Sequence, residues 1–223
     1  MNAKFTSLLS KHVGSAFAKQ LAFADFLGDR GWGVNISEGL ATFGDDLSFP
    51  IQLLGTEADG DVSWLWAWAN EQSNLPANVL VACSELKRIG SENGIPELTE
   101  RSFSQDVANG HQISMIASGL NSNCCYYRGP YDGGALYFLV CAVPSELLLP
   151  VSTERVVTVI NESISQFDLN HKEMVTSFLH SQQFSIQTET NTVIAQRNND
   201  ALKFSFDSLG RIENIDGTLK PTR

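Results

Sequence analysis

The sequence predicts an α+β fold: an antiparallel β-meander packed by helices, followed by a helix pair and a small antiparallel sheet. Three observations carry this. Apolar residues recur at helical spacing over residues 5–27. The period then drops to two over residues 32–69, with only short turn-like links between the runs. After Pro150 a helical period and then an alternating one appear again. Strands joined by such short links must run antiparallel, which rejects a doubly wound parallel sheet.

The first element carries Phe5, Leu8, Leu9, Val13, Ala16, Phe17, Leu21 and Ala24 on one side and Lys4, Lys11 and Lys19 on the other. That is an amphipathic, core-packing helix, with Gly14 the point where it could break. Four short strands follow, near 32–36, 40–43, 48–55 and 61–69. Turns fall at Ser37-Glu38-Gly39, Gly44-Asp45-Asp46 and the acidic loop from Glu57 to Asp61. Pro76 suits the first turn of a helix reaching Gly90 or Gly94, with Val79, Ala82, Cys83, Leu86 and Ile89 on one face. A second helix is expected from about 106 to 120. The string "CCYYRGPYDGGALYFLVCA" reads as a hairpin, with turn residues at Gly129-Pro130 and Asp132-Gly133-Gly134.

Pro144 and Pro150 bracket a candidate boundary, giving an N-terminal unit over 1–143 and a C-terminal α-then-β unit over 150–223. In the second unit Thr153 can cap one helix and Asp168 or Asn170 another. Alternating runs near 184–186, 193–195, 202–206 and 212–215 complete it.

With 43% hydrophobic and 18% charged residues, the chain can bury a sizeable core. Its 25 acidic against 15 basic residues give a formal charge of −10. That balance excludes binding to a phosphate backbone, so no nucleic acid is expected, and leaves a basic protein partner open. No run approaches the roughly 20 apolar residues that span a bilayer, and Lys4 and Lys11 have no apolar stretch between them, so neither membrane insertion nor a cleaved secretory signal is expected. Cys83, Cys124, Cys125 and Cys141 have neither metal spacing nor the density of a disulfide scaffold. They are expected to be reduced, as small apolar side chains in a cytoplasmic protein. A count of two free thiols would instead point to a Cys124–Cys141 pair across the hairpin.

Catalytic signatures are missing. There is no nucleophile elbow, phosphate-cradling loop, dinucleotide fingerprint or paired-histidine zinc motif. His12, His111, His171 and His180 have no ligand spacing, and the Asp pairs lie in turns where Asp is favoured for local hydrogen bonding. No metal and no cofactor are expected, and an enzyme would need catalytic residues dispersed along the chain.

The stretch "VSWLWAWAN" places Trp64, Trp66 and Trp68 at every second position. In one strand they share a face, with Leu65, Ala67 and Ala69 on the other. Burying three indoles of about 200 Å² each represents on the order of 15 kcal/mol as an upper bound. Core packing is therefore the first reading, with the 76–90 helix approaching the small-residue face. The second reading is a ligand pocket, because each buried indole N–H wants an acceptor and an apolar wall with a few polar groups describes a binding site. In that reading Trp64, Trp66 and Trp68 form the wall, Trp32 extends it, and Gln52 and Asn70 are its polar neighbours.

The series Trp32, Phe43, "IQLLGT" at 51–56, "SWLWAWAN" at 63–70 and "YRGPYDGGALYF" at 127–138 resembles an uncharacterised family of bacterial cytosolic proteins, a domain of unknown function. The resemblance covers about 20–142 and carries no catalytic residue; it implies bacterial, cytoplasmic placement. Three functions stay open. The first is a soluble, non-enzymatic interaction module, an accessory or neutralising protein for a basic partner. The second is a small-molecule binding domain using the tryptophans. The third is an enzyme with dispersed catalytic residues.

Overall fold

The computed structural model describes residues 2–218. It has five α-helices and two antiparallel sheets, an α+β fold whose first sheet is built around a meander.

Helix α1 (Ala3–Leu27) runs unbroken through Gly14. A Cβ there would lie 2.6 Å from the ring of Phe178, so the glycine admits a neighbouring helix instead of breaking its own. Asn2 caps the helix by accepting from Lys4 N. Phe5, Leu9, Val13, Ala16 and Phe23 are fully buried.

Strands β1 (Trp32–Asn35), β2 (Leu40–Phe43), β3 (Leu47–Ala58), β4 (Ser63–Trp66) and β5 (Ser102–Ser104) form the meander. Strand β3 is long because it serves several partners. Residues 47–50 pair with β2 and residues 55–58 with β4, while 51–58 pair with β7 of the hairpin β6 (Cys124–Tyr131) and β7 (Gly134–Cys141). A bulge between Leu53 and Gly55 interrupts the β3–β7 register, and such bulges bend the strand that carries them. Trp32 of β1 thereby meets Tyr127 and Phe138 of the hairpin, with ring centroids 5.8 and 6.2 Å apart.

Several expectations need correction here. Strand β4 ends at Trp66, because its pairing with β3 stops at Gly55 beside the bulge. Ala67–Ala69 turn instead into a 3₁₀ helix, so Trp68 leaves the strand. The following helix α2 (Val81–Asn93) starts later than expected, after a 3₁₀ turn at Ala77–Val79. Strand β5 was not expected, and α3 (Gly110–Leu120) begins at a capping box formed by Asn109 and Gln112. The hairpin turns at Asp132–Gly133 alone; Gly129 and Pro130 lie within β6.

A 3₁₀ turn at Ser145–Leu148 leads to α4 (Thr153–Gln166), capped by Ser152, and α5 (His171–Ser181), capped by Asn170. Strands β8 (Ser185–Thr188), β9 (Thr192–Arg197), β10 (Asp200–Phe206) and β11 (Ile212–Thr218) form the second sheet in sequence order. Val193, Ala195, Leu202, Phe204 and Phe206 are its buried side chains. Helix α1 joins the two blocks: it packs on α3 and also on α4 and α5. The Asn170 N–H donates to Ser10 Oγ at 2.9 Å.

Cys124 and Cys141, directly opposed in the β6–β7 register, form a disulfide. The expectation of four reduced thiols is thereby corrected. Only Cys83 and Cys125 remain free, both buried, and burial pushes each thiol up to about 11. Among the described residues no helix is long and apolar enough to cross a membrane.

Candidate functional site

The two faces of β4 close differently. Pairing puts Trp66 opposite Gly55 and Trp64 opposite Glu57. Across β3, Gly55 is opposite Tyr137 and Glu57 opposite Ala135. These side chains share one face of the sheet. Leu65, Thr56 and Leu136 are the matching trio on the other face.

The tryptophan face is sealed. Trp64, Trp66 and Tyr137 are fully buried. Trp64 stands edge-on to both Trp66 and Tyr137, at 5.4 and 5.7 Å between centroids. Its indole lies across Gly55, where a Cβ would come within 2.4 Å of the ring. Trp66 Nε1 donates to the Glu97 carbonyl at 3.2 Å, whereas the indole nitrogens of Trp64 and Trp68 have no protein acceptor. Trp68 is half-buried, stacks on Trp66, and lies under the Lys87 ammonium at 3.7 Å.

A buried polar cluster sits beside this wall. The Glu57 carboxylate accepts from Gly110 N at the start of α3 and from Tyr137 Oη, both at 2.7 Å. A carboxylate at a helix N-terminus is favoured by the exposed N–H groups and the helix dipole. Arg128 Nε donates to Tyr137 Oη at 3.1 Å. His111 Nδ1 meets Tyr126 Oη at 3.0 Å. Burial, then the Glu57 hydrogen bond and charge, push the Tyr137 phenol up against the opposing pull of Arg128. Burial alone raises Tyr126. His111 is exposed as a residue, but its ring lies against Tyr126 and Tyr137. That desolvation holds it below its ordinary value, against the Glu57 charge. These groups answer one another, and such a network fixes a core.

The opposite face opens into a cavity of about 420 Å³. Its floor is Leu65, Thr56 and Leu136, continued by Leu53 and Ala67. Ile36 and Ser37 of the β1–β2 turn and residues Asn70, Ser73, Asn74, Leu75 and Pro76 form the surround. The segment 70–76 therefore occupies the place expected for the helix. No charged side chain lines the cavity. Asn70 Oδ1 accepts from Ser73 N at 3.2 Å, and Asn74 takes the left-handed conformation, so the rim is a shaped loop.

Of the six residues singled out in the sequence, only Asn70 lines this cavity. Trp64 and Trp66 lie beneath the sheet, and Trp68 packs with Trp66. Trp32 packs on Tyr127 and Phe138. Gln52 ties β3 to the entry of α2, donating to Asn78 O at 2.9 Å and accepting from Ala82 N at 3.2 Å. Of the floor residues only Leu65 had a signal, as an intervening position of the alternation that displays the tryptophans; Thr56 and Leu136 reach the same face through the register of β3 with β4 and β7. Among the described residues no group of three or more His, Cys, Asp or Glu could hold a metal ion.

The chain belongs to a family of unknown function (DUF6882), whose model matches residues 6–143. No curated protein and no solved structure matches it.

Proposed function

We propose that this member of a family of unknown function is a non-catalytic binding module that holds a small, uncharged, mostly apolar molecule in the cavity over Leu65, Thr56 and Leu136. The cavity itself carries the reading. Its volume of about 420 Å³ falls in the range of about 300–1,000 Å³ usual for small-molecule sites. Its floor is mostly aliphatic, and its polar groups, the Ser37, Thr56 and Ser73 hydroxyls and the Asn70 and Asn74 amides, are neutral. An ionised ligand would lose hydration there with no countercharge to replace it. The occupant therefore offers an apolar body and one or two hydrogen-bonding groups.

The acid–base groups argue against an enzyme of this cavity. Glu57, Tyr137 and His111 lie across the sheet from it, and Glu57 and Tyr137 are engaged with each other. The tryptophans act as support: they hold β4 rigid from below.

Ligand-observed NMR with indole and 1-octanol, two neutral probes, tests the reading. Both are expected to bind, with shifts at the methyl groups of Leu53, Leu65 and Leu136. Leu136→Trp, which fills the floor, is expected to abolish binding while leaving the fold intact. Unchanged binding in the folded Leu136→Trp protein would sink the assignment.

A further inference from the structure

Thr56 stands apart on the cavity floor. Its neighbours across β3 are Leu65 of β4 and Leu136 of β7, and Leu53 and Ala67 extend the same apolar surface. Valine would keep the shape of the side chain and the β-branched stiffness that suits a strand. Threonine adds one hydroxyl. Among the described residues nothing hydrogen-bonds that hydroxyl, although the residue is half-buried. An unpaired hydroxyl drawn away from bulk water costs free energy, with nothing in the fold to offset it. Its partner is therefore whatever fills the cavity, water or a ligand.

Two polar groups at the rim are already partly committed. Ser37 Oγ donates to Asn35 Oδ1 at 2.7 Å, so toward the cavity it can only accept. Asn70 Oδ1 accepts from Ser73 N at 3.2 Å, which fixes the amide and leaves Nδ2 as a donor. Thr56 differs from both. Its hydroxyl is free to donate and to accept, and it stands between two leucines on the floor. A ligand hydroxyl matches it, since that group also needs both functions answered once it leaves water. A carbonyl would use only the donor, and a purely apolar body would use neither.

We propose that Thr56 determines the specificity of this cavity. It selects a neutral molecule with a hydroxyl on an apolar body, a phenol or an alcohol, bound with the hydroxyl inward. The assignment rests on the cavity being a binding site and adds which group is read there, and by which residue. Leu53, Leu65 and Leu136 supply affinity by covering the apolar body. Thr56 supplies discrimination. A site that hydrogen-bonds a hydroxyl rejects the analogue lacking it, because the protein's own polar group is then left unpaired.

Phenol and toluene, nearly identical in shape, are the probes, with dissociation constants taken from NMR titration. In Thr56→Val their ratio is expected to move about ten-fold against phenol, the loss of one hydrogen bond. In Thr56→Ser, which keeps the hydroxyl, the ratio is expected to stay within about two-fold of the parent's. A ratio that does not move in Thr56→Val, or moves as far in Thr56→Ser, would overturn the proposal. The parent protein gives a second measurement that needs no variant to fold. Nuclear Overhauser contacts from the Thr56 methyl group are expected to reach the ortho protons of phenol more strongly than its para proton. The reverse order would put the hydroxyl outward and overturn the proposal as well. If neither probe nor indole binds, the cavity reading itself fails and takes this assignment with it. Binding of both probes with no dependence on Thr56 removes the assignment alone.

Discussion

The two faces of β4 are one residue apart in sequence and opposite in physics. Beneath, Trp64 and Trp66 are closed in by Gly55, Tyr137 and the start of α3, with a buried carboxylate satisfied by Gly110 N and Tyr137 Oη. Above, Leu65 and Ala67 look into open volume bounded by loops. Large aromatic rings on one side made the strand conspicuous, yet those rings are what fill space. A binding site needs space left over, and that follows from small or aliphatic residues facing segments too irregular to pack against them. A conspicuous side chain and a functional one are different things here.

The largest expected effect tests the sealed face. Trp66→Ala should cost about 3–5 kcal/mol, as aromatic truncations in cores do, with the Glu97 carbonyl losing its donor in addition. Trp64→Ala should cost a similar amount. Trp68→Ala should cost clearly less, because its ring is half-buried, stacked on Trp66 and under Lys87, where Trp64 and Trp66 are fully buried. Urea melts measure all three. A near-neutral Trp64 or Trp66 variant would mean that the lower face is open, and the contrast between the faces would fail.

The disulfide comes next. Cys124 and Cys141 lie two residues from the Tyr126–Leu139 pair and so project to the same sealed face. Closing a loop with a sequence separation of 17 should stabilise by about 3 kcal/mol through the unfolded state. Thiol counting in denaturant without reductant should give two free thiols, and reductant should lower the urea midpoint. Four thiols would return these cysteines to the reduced state that sequence spacing suggests.

What could be read in advance follows from how local each cause is. The period of two reports β1 and β2 to within a residue, because each strand's pattern is set by its own residues; β3 instead runs on to Ala58, taking Glu57 out of the expected acidic loop and into the sheet, because β4 and β7 both pair with it there. The end of β4 could not be read: "SWLWAWAN" alternates to its last residue, but pairing stops at Gly55 because of a bulge in a different strand. The same holds for Gly14, whose role depends on Phe178 of α5, far along the chain. Strand β5 is a three-residue run, too short to show a period, and exists because β4 offers it an edge. The polar partners of Glu57 come from α3 and β7. The cavity is the extreme case, since its lining comes from four separate segments and its defining property is what they leave unfilled.

Tyr137→Phe should cost about 1–2 kcal/mol, since it removes one hydrogen bond to a charged group and leaves Arg128 without its acceptor. The same group sets an alkaline limit. Tyr126 and Tyr137 are raised in the fold, while an unfolded tyrosine ionises near about pH 10. Above that pH the unfolded chain binds fewer protons than the folded one, so stability falls as pH rises. Stability measured between neutral pH and pH 11 should show this fall, and Tyr126→Phe with Tyr137→Phe should make it shallower without removing it, because burial also raises Tyr127 and the thiols of Cys83 and Cys125. Cavity-floor variants should leave the pH profile unchanged, because no titratable group lines the cavity. An alkaline limb as steep in the double variant as in the parent would place its origin elsewhere.

The smallest effect is the most discriminating. Leu65 is only half-buried, one residue from two tryptophans that have no exposure. Leu→Ala in a packed core costs about 2–5 kcal/mol, of which the larger share beyond transfer reflects the void left behind. At Leu65 a void is already present, so the truncation enlarges an existing space instead of creating one, and the cost should stay near about 1 kcal/mol. Its effect should appear in binding: the widened floor should accept bulkier neutral probes and hold indole more loosely. A loss equal to that of Trp66→Ala would show that the loop 70–76 closes onto Leu65 in solution, leaving two sealed faces and no cavity. A small loss with altered probe preference would leave Trp66 as the strand's support and Leu65 as part of what it supports.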